Sequence, residues 1–358
     1  MEINMEFPNR IFGCAVKTGH IQGIAVDREK GFVYHSYTTI LLKTDLLGNP
    51  VGSVKNIIGH LGCITFDDKR RRVYGSLELK HDVIGKGITG LTGKELANED
   101  TFYLVTFDVD KIVRMDMDAE ADGIMKAMRL SEPCEYYAGI DEVSGKAHRY
   151  GCSGIDGVAL GRPFGLDKAS EKKIMVAAGI YLDTETNTQD NQLIFEYSVD
   201  TLEKYALPLT QTAPHKSGPD SADNRYFLHT GNTEYGVQNL EYDEYLDTFI
   251  VAVYPGSKPE YENYTLFFID AAKPPVVREV FGRDGEIGNL LTLKPLGESR
   301  DGVIYGSHFE DGACGIYSFG DGRYYFVKPG FIKESNTHTG ELFMYRADTS
   351  DKKVFVRI

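Results

Sequence analysis

Tryptophan is absent from the 358-residue chain, and cysteine is scarce: Cys14, Cys63, Cys134, Cys152 and Cys314 are scattered without a CxxC pair. An odd, dispersed set argues against a disulfide framework and against a thiolate metal cluster. Positive charge is also in short supply, with 39 Lys and Arg against 53 Asp and Glu and a formal charge of -14. Such a surface repels phosphate backbones and anionic headgroups, so neither a nucleic acid nor a membrane partner is expected. The basic run Arg70-Arg71-Arg72 falls in a polar turn and reads as surface. No stretch reaches the ~18 apolar residues of a membrane-spanning helix. Met1 to Pro8 lacks the basic start and apolar stretch of a secretory signal, and with these cysteines a cytoplasmic location is expected.

Familiar catalytic signatures are missing too. Tyr150-Gly151-Cys152-Ser153-Gly154 lacks the GxSxG spacing and reads as entry into a strand. Cys152 has no base beside it closer than His148, four residues away, and reads as a buried thiol. GKGITGLTGK from Gly85 does not match a phosphate-binding GxxxxGK[ST] loop and is expected to be flexible.

What the chain does have is 38 Gly, 22 Tyr and 19 Phe, with 42% apolar residues, a composition suited to many short strands and tight turns. Two patterns alternate along it. In the first, an apolar strand, a polar turn and a second strand ending in Tyr or a small residue read GIAVDREKGFVYHS from Gly23, and GCITFDDKRRRVYGS from Gly62. Looser copies start at Gly154, Val237 and Gly288. In the second, alternating apolar residues run into an Asp-containing turn and a final strand, as in TILLKTDLLGNPVGSV from Thr39, with further copies from Thr101, Gln192, Tyr264 and Glu341. One of each makes four antiparallel strands, the unit of a propeller blade. The prediction is an all-β chain, a single β-propeller domain over 1–358 of five four-stranded blades near 20–57, 60–117, 151–207, 236–281 and 286–358. Six blades is the main alternative, if 118–150 or 309–334 hides another hairpin.

The GI-x-x-D and G-x-V-Y elements of these repeats resemble the β-propeller superfamily of the SMP-30/NHL/YncE-like kind. The resemblance covers almost the whole chain but is one of strand pattern. Where the calcium-dependent lactonases of that group carry acidic ligands at the start of innermost strands, this chain has Gln22, Gly62, Ser153, Gln238 and Gly288. Their metal site and activity are therefore not carried over.

Nearly all excess length falls in loops on one face of the expected ring, where inner strands begin, whereas turns on the other face are short, polar and need no function. Residues brought to the loop-rich mouth include His20, Gln22, His60, His229, Glu234 and Gln238, with Glu78, Tyr181, Tyr254, His308 and Glu310 behind them. His20, His60, His229 and His308 could ligate one divalent metal (Zn, Mn or Ca), with Glu78 and Glu234 as general acid/base in a hydrolase or lyase. Gln22, Gln238, Tyr181, Tyr254 and Glu310 would bind a small polar, carbohydrate-derived ligand. Two other readings stay open. Mouth residues can simply satisfy buried backbone and water, or the chain can be a non-catalytic scaffold that docks a protein partner through Tyr136, Tyr137 and Phe164.

Overall fold

The computed structural model describes residues 6–358. It is an all-β, five-bladed propeller, with one sheet to each blade. The inner strands are Ile21–Asp27, His60–Asp67, Cys152–Gly161, Thr233–Asp243 and Ile316–Ser318. Each packs against the next, and the fifth returns to the first, so the ring closes. Five hydrophobic clusters fill the five seams between blades. Tyr34 and Leu41 of blade 1 meet Leu61 and Val73 of blade 2, for example, and Phe268 of blade 4 meets Phe326 of blade 5. Burial on both faces explains why the strands are apolar in runs rather than in strict alternation.

Local chemistry sets the turns. Asp27, Asp67 and Asp243 end three inner strands, and each accepts a backbone N–H three residues on, from Lys30, Arg70 and Leu246. The next residue in each case, Gly31, Arg71 or Asp247, then takes positive φ. An aspartate closing its own turn in this way returns the chain as the second strand of the blade.

The blades are not uniformly four-stranded as the repeat predicts: the fourth strand of blade 2 is Met125–Arg129, that of blade 3 is Asn224–His229, and the fourth sheet has three strands. Two further expectations need correction. Gly288 does not open the fifth blade: Ile287–Leu290 lies at the outer side of the third sheet, parallel to Asn224–His229 and antiparallel to Val276–Glu279. The fifth inner strand comes instead from GIYSF, within 309–334, one of the two stretches that could hold an extra hairpin. Closure is also shared between the ends of the chain, because Arg10–Phe12 and Phe355–Arg357 both pair with Thr337–Ala347. Secondly, the glycine-rich stretch after Lys80 is no flexible loop. It forms helix α1, Val83–Thr92, capped by Asp82, whose carboxylate accepts the Gly85 N–H at 2.9 Å. Among the described residues no helix is long and apolar enough to cross a membrane.

Candidate functional site

All five inner strands run in the same sense, so their first residues meet at one mouth of the channel. A recess of about 180 Å³ opens there. Blade 1 contributes His20 and Gln22, blade 2 His60, Glu78 and Lys80, blade 3 Ser153 and Asp156, and blade 4 Tyr235, Gln238 and Tyr254, while Ile84 of α1 lies over the opening. A second recess of about 400 Å³ adjoins it, sharing His20 and Tyr254 and adding Glu310 and His338. Deeper in, the Asn239 amide donates to the Gln22 and Ala313 carbonyls, both at 2.8 Å, and ties the first, fourth and fifth blades together.

The charged floor is built from the second strand of blade 2. Lys80 Nζ lies 2.9 Å from Glu78 Oε2 and 3.2 Å from Asp82 Oδ2, and it donates to the Ser153 carbonyl at 2.8 Å. Glu78 Oε1 accepts the Ile155 N–H at 2.8 Å. That contact depends on Gly154, where a Cβ would stand 1.7 Å from Glu78 Oε1 and where φ is +134°. His60 Nδ1 points toward Glu78 Oε2 at 3.7 Å, beyond hydrogen-bond range, and is buried without a partner among the described residues. Asp156, also buried, accepts the Cys63 N–H at 3.3 Å. Its space is left by Gly62, where a Cβ would come within 2.1 Å of Asp156 Oδ1.

Burial and electrostatics separate these groups. Burial raises the Glu78 carboxyl, opposed by Lys80. Asp156 is raised well above the usual carboxylate range by burial and by the charge of Glu78. Burial works against the Lys80 ammonium, but Glu78 and Asp82 hold it above its ordinary value. His60 is pushed down to about 3 by burial, with Lys80 adding to the effect. It is therefore a neutral ring rather than a proton shuttle near neutral pH.

The fold thus brings His20, His60, Gln22, Gln238, Glu78 and Tyr254 together, with Glu310 next door. Others are elsewhere. His229 donates to the Asp190 carbonyl at 3.1 Å and stacks on Phe281, and His308 lies against Tyr264. The four histidines do not converge, and no group of three or more His, Cys, Asp or Glu among the described residues is arranged to hold a metal ion. The expected Zn, Mn or Ca donor set is not assembled, and no step is assigned to a metal. Glu234 is exposed on the rim, turned outward by an irregularity that leaves Tyr235 at φ +60°. Tyr181 packs beside His148 outside the recess. The residues offered as a docking patch do not form one: Tyr136 and Phe164 are core residues, 5% and 4% exposed. Cys152 is buried, and burial pushes its thiol up to about 12.

Two members of the site escaped sequence reasoning, Asp156 and Lys80. The signal was there in GIDGVAL, where an acid interrupts an apolar inner strand. An acid at such a position has to face the axis or go unsatisfied.

No protein-family profile matches the chain, and no curated protein matches it. Among solved structures it is similar to a GH43 β-1,3-galactosidase determined with galactodeoxynojirimycin, at 10% identity and a TM-score of 0.42, covering 94% of this chain and 93% of that one. A likeness at that level says nothing of the chemistry. Membership of the SMP-30/NHL/YncE-like group, for which the strand pattern was the sole basis, has no support from these comparisons.

Proposed function

We propose that the loop-side channel mouth binds a small, polar, carbohydrate-derived molecule and acts on it as a hydrolase or lyase by proton transfer from its own carboxyls. The observation that supports this reading is the pair of buried acids in one recess. Glu78 is matched by the Lys80 cation, whereas Asp156 has no cation within hydrogen-bond reach among the described residues. Two carboxyls whose surroundings differ in this way suit opposite roles, with Asp156 carrying a proton as general acid and ion-paired Glu78 accepting one. Gln22 and Gln238 supply amides that can both donate and accept, as hydroxyl-rich ligands require, and Tyr254 supplies a flat wall. His20 accepts from the Gln22 amide at 3.2 Å and so orients it. A cytoplasmic setting, for which the unpaired cysteines are the support, is part of the same proposal.

The test is a panel of aryl glycosides, lactones and uronides, scored for binding by calorimetry and for turnover. A member of the panel should bind the wild-type chain. Asp156→Asn and Glu78→Gln should each lower its turnover by about 10²-fold or more while leaving binding within an order of magnitude. Turnover indifferent to both substitutions, or no binding across the panel, sinks the proposal.

A further inference from the structure

A recess lies at the opposite end of the channel, on the face whose short turns were expected to need no function. It has a volume of about 450 Å³ and is formed where the inner strands end, by Val26, Phe66, Leu160, Glu241 and Tyr317 of the five blades in turn. Several of the charges around it are in ion pairs. Asp27 is paired with Arg71, and Lys172 with Glu244 at 3.2 Å. The Arg28 guanidinium is bound to the Phe319 carbonyl at 2.9 Å.

Arg28, Asp68, Lys69 and Glu241 have no ion-pair partner among the described residues, and of these only Glu241 lies on an inner strand. It projects from the inner strand of blade 4, and one oxygen accepts the Ser318 N–H at 2.7 Å. Among the described residues no other group donates to it, and it has no salt-bridge partner; its second oxygen is left open to the recess. Asp68 nearby accepts only the Lys69 N–H at 2.9 Å and has no ion pair among the described residues. Unpaired charge of both signs thus lies in the turns, Arg28 and Lys69 against Asp68, while the unpaired group on the inner strands is the Glu241 carboxylate, beside the rings of Phe66 and Tyr317. Carboxylate and ring faces together favour a cation with an apolar body.

The geometry points to a second ligand site at this end of the channel, for a small organic cation whose N–H donors meet the Glu241 carboxylate and whose apolar body lies along Phe66 and Tyr317. Burial holds the Glu241 carboxyl up at about 8, the Asp243 charge adding to this and Lys172 opposing it. The other titratable and charged groups lining the recess are Asp27, Arg28, Glu29, Asp68, Lys69, Tyr242, Glu244 and Tyr317. A cation binds the ionised carboxylate, so affinity rises as pH passes through about 8 and levels off above it.

Benzamidine is the probe, being a planar cation that stays charged over this range and can reach both oxygens of a carboxylate, and benzamide is its neutral counterpart. Titration calorimetry on the full chain should show benzamidine binding about tenfold tighter at pH 9 than at pH 7, with benzamide silent. Glu241→Gln, which keeps an acceptor for Ser318, should weaken binding by about tenfold or more, while Glu78→Gln at the other mouth changes it by less than about twofold. Benzamide binding as well as benzamidine, affinity flat in pH, a loss caused by Glu78→Gln instead, or no benzamidine binding at pH 9 would each overturn the site. The pH series on the wild-type chain decides the matter even if the substituted protein fails to fold.

Discussion

Lys80 satisfies three acceptors at once, Glu78, Asp82 and the Ser153 carbonyl, while only 6% of its side chain is exposed. Replacing it by Met keeps much of the volume but strands the Glu78 carboxylate in a buried recess. Lys80→Met should therefore cost about 3–5 kcal/mol in urea denaturation, and adding Glu78→Gln should recover a large part of that loss. A double variant no more stable than the single one would mean that packing, and not the stranded charge, carries the effect. At this scale the sequence was a partial guide. His20, Gln22, His60, Glu78, Gln238 and Tyr254 could be placed because they flank strand starts and ends. His229, Glu234 and His308 could not, because a bulge and long connections redirect side chains by amounts that strand counting cannot supply.

Helix α1 illustrates the same limit at the level of elements. Gly85, Gly87 and Gly90 within ten residues argue against a helix on propensity alone. Tertiary packing overrides this: Ile88 is buried, Asp82 caps the N-terminus, and Gly85 is required because a Cβ there would meet the Lys80 carbonyl at 1.6 Å. Gly87 and Gly90 have no such constraint, since a Cβ at either would meet nothing within 4 Å. Gly87→Ala and Gly90→Ala should each stabilise the helix by about 0.5–1 kcal/mol, seen as slower amide exchange over 83–92. Faster exchange would show that the helix needs its glycines to bend over the recess. The misassigned strand at Gly288 is a related case. An apolar run followed by a polar turn looks the same whether it opens a blade or lines the edge of one, because both positions are extended and half-apolar.

For the molecule as a whole, ring closure is the structural event that sets both channel mouths. Arg10–Phe12 completes the last blade beside Thr337–Ala347, and Ile11 is buried in the seam between blades 5 and 1. A chain begun at residue 14 should leave that blade with an unpaired edge and an exposed seam. It should melt at lower temperature, by several degrees or more, and in a broadened transition followed by circular dichroism. An unchanged, cooperative melt would show that Phe355–Arg357 closes the ring unaided.

Blade number and the identity of the loop-rich face follow from the sequence by itself, because the Asp-closed turns and the repeat of paired strands are local properties of the chain. The sites do not. Whether His20 meets His60 or His229, whether Asp156 lies beside Glu78, and whether Glu241 faces the far mouth depend on how five blades rotate about a common axis. Burial then decides which of these groups holds a proton, and burial belongs to the assembled ring rather than to any segment of it.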